Sequence, residues 1–343
     1  MPAYRLLYLD QEEVAEAGGA DMEAAVRDTE EVFRLHHLGQ TVLPSKVVLR
    51  WGDSSSELER GRINGMPGYV GGTINMAGIK WIASFPANPF RHGLPRGSGL
   101  IIINDPDRGV PLAVMDGTLI SAMRTGAVTG VAAKYLARSD SRVVALLGAG
   151  VQSRTQLMAL RVALPSLERV YVVDPVRERA ETFAQEMEAR LGLSVTVAEP
   201  EAALRGADAV VSATTSSEPI IRQGWLPSGV FYSHVGGYEC EFDVVREADR
   251  RITDNWSEIK HRGIQTFALM HQQGLLKDGD IECDLGAIVA GDHPGRRTPQ
   301  ERIIFLAVGM GIEDVAVAAR VFRTASDRGL GRWLPLWNEP FAL

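Results

Sequence analysis

The sequence predicts an α/β protein in two parts: a doubly wound parallel sheet, and a second α/β domain with a mostly antiparallel sheet. Three observations carry this reading. At 343 residues the chain is too long for one comfortable core. After Ser141, strand-like runs alternate with helical ones, which is the mark of βαβ units. Before Thr118, by contrast, extended segments follow one another through turn chemistry, with a single helix ahead of them.

Taken in order, Tyr4–Leu9 reads as a first strand. Residues 20–38 place Met22, Ala25, Val26, Val32, Phe33 and Leu35 at helical spacing. Extended segments are expected at 41–50, 61–66, 77–85 and 99–104. The sequence Asn104-Asp-Pro-Asp-Arg-Gly109 then turns the chain into a return strand at 110–115. Residues 118–137 are helical, with Ile120, Met123, Ala127, Val128 and Val131 on the apolar stripe. Strands at 143–147, 170–173, 209–213, 230–233 and 251–253 follow, the first leading into a helix at 155–163. A last helix at 312–325 precedes a strand-like tail, Arg332–Trp337, that returns to the first domain. The expected division is a substrate-binding and dimerisation domain of 1–125 with 315–343, and a dinucleotide-binding domain of 126–314.

Composition narrows the function classes. The formal net charge is −7, with 36 basic and 43 acidic residues and no long basic run, which argues against a nucleic-acid partner. No run is apolar enough for long enough to span a bilayer, and the start lacks the basic and apolar pattern of a secretory leader. The two cysteines, Cys240 and Cys283, have neither metal-ligand spacing nor a disulfide framework. A cytoplasmic location is the simplest expectation, and no metal is expected.

Val143–Leu147 runs straight into Gly148-Ala-Gly150-Val151-Gln152-Ser153. In such a turn the first glycine permits the tight reversal, and the second lets the backbone approach a pyrophosphate. The helix that follows offers free N–H groups and a positive dipole end. The usual third glycine is here Ser153, still small enough for close helix–strand packing. Asp174 ends the next strand, where a carboxylate accepts hydrogen bonds from a ribose and repels a 2′-phosphate. The pattern points to a Rossmann site for NAD(H), with Arg177 nearby keeping the phosphorylated form open. Thr214 and Thr215 end the strand at 209–213 and are either cofactor neighbours or caps of the next segment. Glycines used for packing alone, with Asp174 as a helix cap, form the bland alternative.

Two cations stand where apolar residues belong. Lys80 shares a strand face with Ile82, opposite Ile79 and Trp81, and Arg124 falls on the apolar stripe between Ile120 and Val128. An ammonium or guanidinium in such a place needs a partner. That partner is either a structural carboxylate or a ligand.

Gly78-Ile-Lys-Trp81, Asn104-Asp-Pro, Pro111-Leu-Ala-Val-Met-Asp116, Met123-Arg-Thr-Gly-Ala127, Gly148-Ala-Gly150 and Gly309-Met-Gly-Ile-Glu-Asp314 together resemble the ornithine cyclodeaminase/mu-crystallin family. The resemblance runs over nearly the whole chain. It implies a homodimer, bound NAD (NADP less so), and substrates that are amino acids or cyclic imines. It also implies that Lys46, Lys80 and Arg124 gather around a substrate carboxylate, that Lys80 exchanges a proton with the reacting nitrogen, and that Asp314 belongs with the cofactor-binding residues. The family's cyclodeaminases carry an aspartate directly after Val235-Gly-Gly237, whereas this chain has Tyr238. Glu239 is then either a substitute catalytic carboxylate or a solvated loop acid. Trp81, Asn88-Pro89, Arg96, Ser98-Gly99 and Gly291-Asp-His-Pro-Gly-Arg296 resemble the branch that oxidatively cleaves a glutamate conjugate to 2,3-diaminopropionate. The expected function is an NAD-dependent oxidoreductase acting on the C–N bond of an amino acid or its conjugate. A cyclodeaminase with internal redox, and a non-catalytic crystallin-like binding protein, are the rivals.

Overall fold

The structure, a computed structural model, describes residues 3–52 and 61–341. The chain forms two compact units, Met1–Arg124 with Met310–Leu343 and Thr125–Gly309. The second crossing comes before the 314/315 boundary expected from sequence. The reason is physical: residues 313 and 314 pair with side chains of the first unit, as described below.

The first unit opens with β1 (Tyr4–Leu9) and α1 (Gln11–Val14), the latter running on as a π-helical turn to Gly19. Then come α2 (Met22–His37), β2 (Thr41–Val42), β3 (Val47–Leu49), β4 (Arg62–Val70), β5 (Met76–Ser84), α3 (Asn88–Arg91), β6 (Gly97–Asn104), β7 (Pro111–Asp116) and the start of α4 (Thr118–Leu136). The stretch read as one extended segment at 41–50 is two short strands with a break. The α1 turn, capped by Asp10 and Glu13 reciprocally, escaped the sequence reading because four residues are too few to show a period.

The second unit contains β8 (Val143–Leu147), α5 (Val151–Ala163), β9 (Arg169–Val173), α6 (Arg177–Leu191), β10 (Ser194–Val197), α7 (Pro200–Arg205), β11 (Ala209–Ser212), β12 (Phe231–His234) and α8 (Phe242–Arg246). It ends with β13 (Arg250–Thr253), α9 (Trp256–Ile259), α10 (Thr266–Gln272), β14 (Cys283–Asp284), α11 (Leu285–Val289) and β15 (Ile303–Leu306). The chain then returns to the first unit as α12 (Gly311–Arg328) and β16 (Arg332–Trp337).

In the first unit the sheet order is β16-β1-β7-β6-β5-β4-β2, with β3 also on β4. Every pair is antiparallel except β1 with β7, and the tail strand β16 does pair with β1. Along these strands alternate residues are buried, among them Leu7, Leu9, Ile101, Ile103, Ala113 and Met115, and α12 packs against β4, β5 and β6. The register sets Met66, Lys80, Ile101 and Met115 side by side across four strands on this inner face. One lysine thus interrupts an apolar row. On the opposite face Val47, Gly65, Trp81 and Leu100 form the neighbouring row, with Val47, Trp81 and Leu100 exposed.

The second unit's sheet is wholly parallel, in the order β10-β9-β8-β11-β12-β15-β13-β14. Strand order reverses between β8 and β11, and in such sheets a ligand crevice opens beyond the carboxyl ends at that switch point. The sequence reading missed β10, β14 and β15. All four residues of β15 are buried, as they are in β11 and β12, which were found. Among the described residues no helix is long and apolar enough to cross a membrane, no group of acidic, histidine or cysteine side chains suits a metal, and both cysteines are free.

Candidate functional site

In the second unit, Gly148 ends β8 with φ +98°, a left-handed conformation that favours glycine. A Cβ there would stand 2.9 Å from the Ala213 carbonyl oxygen, beyond the end of β11. The Gly148 amide donates to Val173 O at 2.7 Å, which fixes the turn against the next strand. Gly150 then starts α5 with extended backbone and no side-chain cap, and a Cβ added there would meet nothing within 4 Å. An uncapped helix start with open space in front of it is the geometry that suits a pyrophosphate. Ser153 is fully buried in the first turn, where it lets helix and strand approach, while Val151 is exposed and Gln152 half-buried.

Asp174 accepts from the Ala149 amide through Oδ2 and from the Val176 amide through Oδ1, both at 2.9 Å. It therefore ties the glycine turn to the end of β9, and a carboxylate so held keeps lone pairs for ribose hydroxyls. Arg177, the residue that kept a 2′-phosphate in play, is turned to Glu181 at 2.7 Å on its own helix. This favours the unphosphorylated cofactor.

Glu239 is not the solvated loop acid that sequence reasoning offered. It is fully buried at the ends of β11 and β12, where its carboxylate accepts from Ser212 Oγ (2.6 Å), the Thr214 amide (2.6 Å), Thr214 Oγ1 (2.8 Å) and the Gly236 amide (2.8 Å). Those bonds brace the two loops that follow β11 and β12. Thr214 is thereby fixed, while Thr215 is exposed. His234 sits beneath, with Nε2 against Thr266 Oγ1 at 3.0 Å, and burial lowers its pKa so that the neutral ring is favoured.

In the first unit Lys80 and Arg124 converge. Both are buried, at 1% and 7% exposure. Lys80 projects from the inner face of β5, where its Nζ donates to Ser121 Oγ at 3.0 Å and lies 2.7 Å from Asp314 Oδ2. Arg124 reaches from α4, donating through Nε to Asp314 Oδ1 at 3.0 Å and through Nη1 to Glu313 Oε2 at 2.8 Å. Both carboxylates are fully buried in the first turn of α12, the end of a helix that favours negative charge.

The cluster holds two cations and two anions. Burial, reinforced by the neighbouring Arg124 charge, brings the Lys80 pKa down to about 8, against the opposing pull of Asp314. Burial works against the Arg124 charge too, but Asp314 and Glu313 outweigh it and hold its pKa above the ordinary arginine value.

Asp314, expected from sequence among the cofactor-binding residues, is thus found bridging the two cations. Glu313 and Ser121 were missed, although the signal for Glu313 was present: two acids at a helix start beside two stranded cations. Lys46 immediately precedes β3 and is half-buried. Extending the Val47–Gly65 register by one residue puts it opposite Met66, in the Lys80 row and two strands away. At the usual strand spacing that is roughly 10 Å.

The ornithine cyclodeaminase/mu-crystallin family model matches residues 8–329. The chain belongs to that family. One member, N-((2S)-2-amino-2-carboxyethyl)-L-glutamate dehydrogenase of Staphylococcus aureus, is 32% identical over 335 residues, covering 97% of this chain and 99% of the relative. Among solved members, a Thermococcus litoralis Δ1-pyrroline-2-carboxylate reductase in complex with NADH and L-proline is 31% identical with TM-score 0.88, covering 95% of this chain and 99% of its own. An archaeal alanine dehydrogenase dimer with bound NAD is 34% identical with TM-score 0.89, covering 97% and 100%. The fold expected from sequence, with one parallel and one mixed sheet, is that of these members of the ornithine cyclodeaminase/mu-crystallin family.

Proposed function

We propose that the protein is an NAD-dependent oxidoreductase that acts on the carbon–nitrogen bond of an amino acid or amino-acid conjugate, in the direction of oxidation through an imine or of imine reduction. The observation that carries this reading is the convergence of Lys80 and Arg124 in one buried cluster. Gly148, Gly150, Val151, Gln152 and Ser153 would hold the pyrophosphate and Asp174 the ribose, with Thr214 and Thr215 beside them. When bound, NAD supplies the hydride acceptor, or NADH the donor.

The chain's own residues do the remaining work. Arg124 presents a planar fork matched to a carboxylate, with N–H donors beyond those used by Glu313 and Asp314. Lys80 and Lys46 add compact positive charge to the same row. With its pKa near neutrality, Lys80 releases or takes up a proton at the reacting nitrogen at little cost. Holding the carboxylate fixes where the Cα hydrogen points, and positioning is the larger part of the rate gain. Support for the substrate class comes from relatives named for an amino-acid conjugate, alanine and a cyclic imine.

The exposed row of Val47, Trp81 and Leu100 continues an apolar sheet face with Leu334 and Leu336, and a second copy of the chain is its proposed occupant. The dimer named among the relatives supports this. Two free cysteines and the lack of a spanning helix among the described residues suit a cytoplasmic home.

The test incubates the protein with NAD⁺ and a panel of amino acids and N-substituted amino acids, following NADH. Net NADH from at least one, and NADH consumption with its imine, is the expected result. Ammonia and a saturated cyclic amino acid without net NADH, the hydride having been returned to the ring imine, would instead make the protein a cyclodeaminase, and nucleotide binding with no turnover would make it a binding protein.

A further inference from the structure

In the second unit one carboxylate is buried among hydrogen-bond donors with no cation beside it. Glu239 is fully buried, and its oxygens accept from two backbone amides, of Thr214 and Gly236, and from two hydroxyls, of Ser212 and Thr214. Among the described residues no lysine, arginine or charged histidine pairs with it. Ser212 Oγ is shared with the Tyr232 hydroxyl at 2.7 Å, and burial pushes that phenol up in pKa. Burial also pushes the neighbouring Cys240 thiol up to about 12 and favours the neutral ring of His234. The groups gathered here therefore leave the Glu239 charge unbalanced. Hydrogen bonds spread such a charge without cancelling it, and a buried carboxylate that lacks a cation is costly.

The place of this charge gives it a use. Ser212 ends β11 in register with His234 at the end of β12 and with Leu147, the residue before Gly148, at the end of β8. Glu239 thus lies at the carboxyl ends of the switch-point strands, one strand from the glycine turn. The loop after β12 wraps it closely, since a Cβ on Gly236 would collide with the Glu239 carboxyl. In a doubly wound sheet each half takes one mononucleotide. Asp174 belongs to the half that takes the adenosine, so β11 and β12 belong to the half that takes the nicotinamide. The oxidised ring carries a positive charge and the reduced ring carries none. We infer that Glu239 supplies the counter-charge for the oxidised nicotinamide and so shifts the bound cofactor toward NAD⁺. This rests on the dinucleotide reading of the second unit and deepens it. In buried surroundings the attraction between opposite charges is poorly screened, and the neutral ring of NADH forgoes it.

The experiment measures dissociation constants of NAD⁺, NADH and ADP-ribose by calorimetry, with no substrate present, for wild type, Glu239→Gln and Ser212→Ala. The alanine variant removes one bond that holds the carboxylate and keeps its charge, so it separates bracing of the loops from charge. In wild type NAD⁺ should bind about tenfold tighter than ADP-ribose, which has the same adenosine and pyrophosphate but lacks the charged ring. In Glu239→Gln the ratio of the NAD⁺ to the NADH dissociation constant should rise by about tenfold, and in Ser212→Ala it should stay within about twofold of wild type. NAD⁺ that binds wild type no better than ADP-ribose overturns the inference, and this arm needs no variant to fold. A ratio that Glu239→Gln leaves unmoved, or that Ser212→Ala raises equally, also overturns it, because the carboxylate would then only brace the loops. If wild type binds none of the three, the dinucleotide reading itself is wrong and the inference falls with it.

Discussion

Asp314 divides its carboxylate between two cations, with Oδ2 at 2.7 Å from Lys80 Nζ and Oδ1 at 3.0 Å from Arg124 Nε. It joins β5, α4 and α12 of the first unit at one buried point. Removing it leaves two buried positive charges with Glu313 as the charged partner of Arg124.

Asp314→Asn should therefore destabilise the protein by about 3–5 kcal/mol, the usual cost of breaking a buried pair from one side. Chemical denaturation reads this directly. The double variant Lys80→Met with Asp314→Asn should recover part of the loss, because one of the stranded charges goes with its partner. Additive losses in the double variant would show that the two side chains do not act as a pair.

Lys80 gives a pH signature. Its pKa is about 8 in the folded chain, against 10.5 for a free lysine. Between those values the unfolded chain retains a proton that the folded chain has released, so Lys80 makes stability rise with pH across that window. Below about pH 8 both states hold the proton and the contribution is flat. Unfolding free energies measured at intervals from pH 7 to pH 11 should show wild type gaining on Lys80→Met only within the window. Parallel curves would mean that Lys80 titrates as an exposed lysine does.

Much of this site could be read from residue order, and the part that could not is informative. Gly148, Gly150 and Asp174 were legible because a strand, a turn and a second strand end fix their meaning locally. Lys80 and Arg124 were legible as anomalies, since a charge on an apolar stripe demands a partner. Which partner is a long-range fact. Asp314 lies 190 residues from Arg124 in sequence, and only the return of α12 to the first unit brings them together. Glu239 shows the same limit. Its loop position in sequence gave no hint that four donors from the ends of β11 and β12 would close around it. In the fold, exposure pattern did not decide which strands were found: β11 and β12, four residues each and wholly buried, were read from sequence, whereas β15, equally buried, and β10, with alternating exposure, were not.

Gly126, directly after Thr125 in the Arg-Thr-Gly sequence, has its own task within the second unit. A Cβ there would collide with the Thr155 carbonyl of α5, and Gln156 Nε2 donates to Thr125 O at 3.1 Å across the same contact. Gly126→Ala should cost about 1–3 kcal/mol through overpacking, despite alanine's better helix propensity. A variant as stable as wild type would show that the two helices separate freely.

Cofactor choice should follow Asp174. Asp174→Ser removes the charge that repels a 2′-phosphate while retaining an acceptor for the Ala149 or Val176 amide. The ratio of kcat/KM with NAD⁺ to that with NADP⁺ should fall by at least about tenfold. An unchanged ratio would locate the ribose elsewhere.

The most direct test of the central claim compares a turned-over amino acid with its carboxamide, in wild type and in Arg124→Met, by kcat/KM with NAD⁺. If Arg124 and Lys80 hold the carboxylate, wild type prefers the free acid by about a hundredfold, and the preference falls toward unity in the variant. A preference of the same size in both proteins would contradict the account, because the carboxylate would then be recognised somewhere else.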